Sequence, residues 1–313
     1  MKKLLITLLL LVVIATVATY IFVPNTNSVA EKTSIAANHK AVFRVLSEPK
    51  ILAKLIQNKA TTTSPGLSIF EYNGVHMRFQ ERLNDIIEVT IDQKGNYTKS
   101  IIQVISKGKD STLVEWRLPL TLSYNPLKRI QQYIEVRVVK AKMTSFLNNL
   151  KTFAVQSKNI YGFDIKRAKL SDSLLITTKT TSLTPPSPEA YYSLIKQLQA
   201  YAESKDALVT NYPMLNITAI NNTKYETMVA LPINKEVPSN GAIRFKRMVP
   251  GNILITDIRG GLLAVNQGLE QLSNYMSDYD LIAPAIPFQS LISDRLANND
   301  SSQWVTKLYY PIY

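Results

Sequence analysis

The chain has 313 residues, 46% of them hydrophobic, enough for two domains of ordinary size. It contains no cysteine and two histidines, His39 and His76, which excludes disulfides, thiolate chemistry and a histidine-rich metal cluster. Neither a metal nor a cofactor is implied. The net charge of +13 is uneven: residues 25–158 carry 20 Lys+Arg against 10 Asp+Glu, and residues 159–313 carry 14 against 13. A basic first half beside an apolar N-terminus suits anionic lipid head groups, and equally an ordinary solvated surface. The cations are dispersed, with no basic helix, so no nucleic-acid partner is expected.

Lys2-Lys3 precede an unbroken apolar run from Leu4 to Val23, ending at Pro24. As a helix, twenty residues span about 30 Å, the thickness of a bilayer core. This predicts a transmembrane anchor over residues 1–24 that contacts the membrane through residues 4–23. The paired lysines place the N-terminus in the cytoplasm and the remainder outside it. The alternative is a secreted protein, because Ser28-Val29-Ala30 offers the small residues that a signal peptidase cuts after.

Residues 25–158 form the predicted first domain. Val29–Ile35 reads as a strand, and Asn38 as the cap of a short helix through Phe43 and Leu46. Alternating segments follow at 68–72, 75–83, 86–91, 100–106 and 112–120. They are separated by Asn73-Gly74, Asn84-Asp85, Lys94-Gly95-Asn96 and Lys107-Gly108-Lys109-Asp110, which are hairpin signals. After Asn125-Pro126 the period becomes helical: Met143, Phe146, Leu147, Leu150, Phe153 and Ala154 share one face, up to about Val155. The stretch Ser34-Ile35-Ala36-Ala37-Asn38-His39-Lys40-Ala41-Val42-Phe43, followed by Ser47-Glu48-Pro49, resembles the opening of the START-like (SRPBCC) ligand-binding superfamily. That resemblance implies a helix-grip fold in which a sheet curls around the long helix and encloses an apolar cavity. It implies no particular chemistry.

Residues 159–313 repeat themselves. Leu174–Thr178 reappears as Ile253–Asp257, and Tyr225–Ile233 as Trp304–Ile312, both at an offset of 79. Gln197–Tyr201 matches Gln271–Tyr275, and Pro213-Met214 matches Pro287-Phe288, at an offset of 74. Each copy reads strand, helix, strand, strand, so two copies are expected to pair about a pseudo-twofold axis with a groove at the seam. Arg259-Gly260-Gly261, before a helix over about 262–277, reads as a tight turn; a phosphate loop would need spacings that are missing.

The segment 159–313 resembles the gyrase-inhibitor-like (GyrI-like) effector-binding domain, most closely in the closing Thr306-Lys307-Leu308-Tyr309-Tyr310-Pro311-Ile312. The resemblance implies a two-lobed small-molecule-binding module. Where that family carries a glutamate that meets cationic ligands and serves its hydrolytic members, this chain has Lys307. A lysine repels a cation at short range and offers no carboxylate for proton abstraction. Strand alternation puts Val229, Leu231, Leu308 and Tyr310 under helices. Glu226, Met228, Ala230, Val305, Lys307 and Tyr309 then fall on the groove face. The expected ligand-binding residues are Met214, Glu226, Met228, Phe288, Lys307 and Tyr309, with Glu226 near enough to pair with Lys307.

The fold class predicted is therefore α+β: a helix-grip domain and a duplicated domain behind one transmembrane helix. The function expected is non-catalytic binding of a small molecule or lipid in the seam groove, with the START-like cavity as a further option. An enzyme (a hydrolase or cyclase using one of the two pockets) and a ligand-responsive transcription regulator are the alternatives. Isolated histidines speak against the first, and the lack of a helix-turn-helix against the second.

Overall fold

The computed structural model describes residues 2–23, 28–57, 62–64, 67–72, 74–82, 85–93, 96–170, 174–221 and 223–313, with backbone only at 2–5, 8, 62–64, 93 and 96. The architecture is α+β: seven α-helices and two antiparallel sheets among the described residues. The chain divides into two compact units, residues 1–160 and 161–313.

The first unit begins with α1 (Lys2–Phe22), whose described apolar side chains face outward, with Leu9 68% and Phe22 78% exposed. Side chains 4, 5 and 8 of the predicted anchor lie outside the described residues, and among the described residues no helix is long and apolar enough to cross a membrane. A seven-stranded sheet follows, ordered β1-β7-β6-β5-β4-β3-β2. Its strands are β1 (Ser28–Ile35), β2 (Thr62–Ser64), β3 (Leu67–Tyr72), β4 (Val75–Glu81), β5 (Ile86–Gln93), β6 (Asn96–Gly108) and β7 (Ser111–Pro119). The meander has the predicted order, while the turn residues 73, 84, 94 and 95 lie outside the described residues. Between β1 and β2 stand α2 (His39–Ser47) and α3 (Pro49–Ile56). Asn38 caps α2 as predicted, accepting from the Lys40 amide at 2.8 Å. Helix α3 starts on Pro49 and buries Ile51, Leu52, Leu55 and Ile56.

The long helix α4 (Pro126–Ala154) closes the unit. Its C-terminal half buries Met143, Phe146, Leu147 and Leu150. Phe146 touches Trp116, Tyr72 and Phe79 at ring-centroid distances of 5.3, 5.7 and 5.8 Å. Fully buried Trp116 donates to Ser100 Oγ at 2.9 Å, and Ser100 donates to the Val89 carbonyl at 2.8 Å, so the indole is satisfied in the core. Aromatic rings thus occupy the space under this half of the helix. A cavity of about 460 Å³ lies instead toward the first half of α4, where Leu118, Leu122 and Val136 face Thr98, Gln132 and Glu135.

After the short α5 (Ser157–Tyr161), the second unit is built on one eight-stranded sheet. Its elements are β8 (Lys166–Lys169), β9 (Leu174–Ser182), α6 (Pro188–Glu203), β10 (Met214–Asn221), β11 (Lys224–Pro232), β12 (Arg244–Arg247), β13 (Asn252–Arg259), α7 (Leu262–Asp278), β14 (Phe288–Leu291) and β15 (Val305–Ile312). The strand order β12-β9-β11-β10-β14-β15-β13-β8 reads the same from either end once copies are exchanged. The pseudo-twofold passes through the pair Leu215↔Gln289, since Met214 faces Ser290 one residue away. Edge strands cross over: β12, which precedes the second copy, pairs with β9 of the first, and β8, which precedes the first copy, pairs with β13 of the second. This reciprocal exchange ties each lobe to the other by a backbone ladder.

The structure corrects one register. Leu231 faces Ile176 while its counterpart Tyr310 faces Leu254, so β9 and β13 correspond at an offset of 78, one residue from the 79 that the sequence suggests. Leu174-Leu175-Ile176 and Ile253-Leu254-Ile255 are continuous apolar runs that fit equally well after a one-residue slip. Only pairing with β11 and β15 fixes which residue faces which layer. Ile176, Val229 and Leu231 then pack under α6 with Tyr191, Ile195 and Leu198. At the second lobe's turn, Gly260 has φ +124°, and a Cβ there would stand 2.7 Å from the Ala264 Cβ, so the strand-to-helix turn requires glycine.

Candidate functional site

On the face of the second sheet away from α6 and α7, the strand periods bring a set of apolar side chains to the seam. Met214 of β10 stands opposite Ala230 of β11, and the equivalent pair in the other lobe is Phe288 opposite Tyr309. The rings of Phe288 and Tyr309 stack at 4.8 Å with planes 8° apart. Leu175, Met214 and Ala230 are buried together, with Met248 and Phe288 packed against them.

Above these residues lies a cavity of about 310 Å³, within the range of small-molecule sites. Its walls include Leu175, Met214, Met228, Ala230, Met248, Ile286 and Phe288; Asn216 and Thr177 supply polar edges. Asn216 is oriented by donating to the Pro287 carbonyl at 2.8 Å. Among the described residues Lys246 is the one charged residue on the wall, and no carboxylate lines it. Flexible methionines on β10, on β11 and just after β12 make a surface that adapts to ligand shape.

Of the six residues expected at the site, Met214, Met228 and Phe288 line this cavity together, and Tyr309 backs Phe288 by stacking on it. The two charged residues go elsewhere. Glu226 accepts from Lys179 Nζ at 2.8 Å across β9 and β11, so the predicted pairing of Glu226 with Lys307 does not form. Lys307 stands 3.8 Å from Asp257 and lines a separate space of about 280 Å³ with Asp164, Lys166 and Ile255. Cross-strand neighbours hold both charges, Asp257 directly opposite Lys307 and Lys179 diagonal to Glu226, because opposite charges on one sheet surface attract. Sequence reasoning missed Lys246 of the exchanged edge strand β12 and Met248 just after it; a four-residue strand that pairs across copies left no local signal.

The helix side of the seam holds a buried polar group. Arg295, 7% exposed, donates to Thr306 Oγ1 at 2.7 Å and Tyr191 Oη at 3.1 Å, and lies over the Trp304 ring at 5.1 Å. Its backbone amide donates to Tyr192 Oη at 2.9 Å. Burial pushes both tyrosine hydroxyls above the ordinary phenol range, which Arg295 partly opposes. This network closes the core and is not open to ligand. Among the described residues no group of acidic or histidine side chains could hold a metal.

No family model matches the chain, and no curated protein matches it. Solved structures resemble about half of it. The C-terminal domain of EcmrR is 14% identical, with 48% of this chain and 98% of that chain covered at a TM-score of 0.42. A hydrolase from Listeria innocua is 10% identical, covering 48% and 91% at a TM-score of 0.38. SAV2435 bound to tetraphenylphosphonium is 14% identical, covering 48% and 93% at 0.34. Likeness at this level establishes neither a shared activity nor a shared ligand.

Proposed function

We propose that this chain is a membrane-anchored, non-catalytic binding protein whose second unit is a GyrI-like effector-binding module and whose first unit is a START-like domain. The observation that carries the reading is the apolar cavity at the seam, where Met214, Met228 and Phe288 converge from both lobes beside Lys246. The ligand class that fits is an aromatic or aliphatic body with a neutral or anionic head. Among the described residues nothing acidic lines the wall to attract a cation, and Glu226 and Asp257 on the same sheet face are held by Lys179 and Lys307.

The anchor is supported by the apolar run Leu4–Val23 behind Lys2-Lys3 and by the outward-facing apolar residues of α1. Retention is supported over cleavage by β1: Ser28, Val29 and Ala30 pair in register with Pro119, Leu118 and Arg117, and a cut after Ala30 would strip them from the sheet. Positioning outside the cytoplasm follows from the two N-terminal lysines.

Calorimetric titration of the full chain in detergent with naphthoate, an aromatic carboxylate, and with a tetraaryl cation tests the site. Naphthoate binds more tightly, and Met228→Asp weakens it by about tenfold or more, roughly 1.4 kcal/mol. Lys307→Ala leaves it within about twofold, because Lys307 lies outside the cavity, a change under roughly 0.5 kcal/mol. Preference for the cation, or equal losses from Met228→Asp and Lys307→Ala, overturns the assignment.

A further inference from the structure

The first half of α4 is apolar on two opposite faces. One faces its own unit through Val136 and Val139, with the buried Arg129. The other carries Leu127, Ile130, Ile134 and Val138, which are 77, 39, 58 and 44% exposed. Spacings of three, four and four residues align these four as one stripe along the helix. An exposed aliphatic stripe of this length has no folding role in its own unit and calls for a partner.

Where the stripe sits identifies the partner. Arg129, 4% exposed, donates to the Val23 carbonyl from Nε at 2.9 Å and from Nη2 at 2.7 Å. A guanidinium at the C-terminal end of α1 also complements the helix dipole. The same guanidinium lies 5.0 Å over the Tyr20 ring, and the Tyr20 hydroxyl donates to the Tyr124 carbonyl. The start of α4 is thereby pinned to the end of α1. Tyr20 and Tyr124, 41% and 85% exposed, stand at that junction, where amphipathic rings favour a bilayer interface. The helix charge agrees, and it corrects the expectation that no helix is basic: α4 carries Lys128, Arg129, Arg137, Lys140, Lys142 and Lys151 against the single carboxylate Glu135.

We propose that the outer face of α4 lies on an anionic lipid bilayer, with Leu127, Ile130, Ile134 and Val138 sunk about 5–10 Å into the head-group boundary. Lys128 and Arg137, both exposed, flank the stripe and meet lipid phosphates. The inference rests on the reading of α1 as an anchor. It adds that the first unit is held against the membrane as well as tethered to it, which turns one face of α4 away from any aqueous ligand.

The absence of cysteine allows a clean test. An environment-sensitive fluorophore on Ile134→Cys in the full chain, reconstituted in phosphatidylglycerol–phosphatidylcholine vesicles, reads the depth of the stripe, while retention after a high-salt wash reads the anchor separately. The expected result is a blue-shifted probe quenched by brominated lipid and protected from iodide, with both effects lost in Leu127→Asp/Val138→Asp while the protein stays in the membrane. Retained protein whose probe is quenched by iodide overturns the docking and leaves the anchor standing. Release by the wash overturns both. Protection in detergent that grows with protein concentration and needs no bilayer assigns the stripe to a second copy and also overturns the proposal.

Discussion

The two lobes of the second unit share a fold and differ in what they place on it. On the sheet face that carries the groove, the first lobe places Met228 and Ala230, and the equivalent positions of the second hold Lys307 and Tyr309. Under the helices the contrast runs through volume. At the position of Leu194 in α6, helix α7 has Gly268, where a Cβ would lie 2.7 Å from Ile258 Cδ1 and 2.8 Å from Leu308 Cδ1. The seam pair contrasts an apolar Leu215 with a buried Gln289 near Arg295. Duplication therefore preserves the ladder, which depends only on backbone, while each layer of side chains is free to diverge provided volume and polarity are balanced locally. The consequence here is an asymmetric groove, with most of its wall in the first lobe.

Three perturbations sharpen this contrast. The largest effect falls on the polar core of the seam. Arg295→Ala strands Tyr191 Oη and Thr306 Oγ1 in a buried site and leaves a void, so denaturant melts should show a loss of about 3 kcal/mol or more. An unchanged midpoint would mean that the network contributes nothing. Next, Gly268→Leu gives α7 the residue that α6 carries at the same place. Ile258 and Leu308 are both fully buried and have nowhere to go, so overpacking should cost about 2–3 kcal/mol, read from the same melts. Tolerance of leucine would show that the helix can ride further from the sheet, as its counterpart does.

The smallest effect concerns pH. Tyr191 and Tyr192 of α6 have raised pKa values from burial, and the matching positions of α7 are Val265 and Asn266. The fold favours the neutral phenol, so its contribution is fully present below the unfolded value near 10 and is lost as pH rises toward the folded one. Alkaline unfolding should thus begin in the first lobe, and Tyr192→Phe should flatten the stability decline above about pH 10. An identical decline in the variant would remove Tyr192 from the account.

The sequence alone determined the meander and long helix of the first unit, the repeated strand, helix, strand, strand order of the second, the cap on α2, and the apolar residues Met214, Met228 and Phe288 at the seam. These follow from local patterns: alternation, helical spacing, turn residues and similarity between copies. Helix α3, which opens on Pro49 and puts Ile51, Leu52, Leu55 and Ile56 on one face, was not among the predicted elements. Tertiary structure decided the rest. The register of β9 against β13 was open because a continuous apolar run has no alternation to fix it. The edge strands β8 and β12 are four residues each and pair across copies, so nothing nearby in sequence announces them, and with them came Lys246 and Met248 of the site. Glu226 and Lys307 found Lys179 and Asp257 instead of each other, because a cross-strand neighbour is reached at no cost in chain movement. Arg295, which sequence leaves as an ordinary loop cation, became the buried centre of the seam only when Tyr191, Gln289 and Thr306 were folded around it.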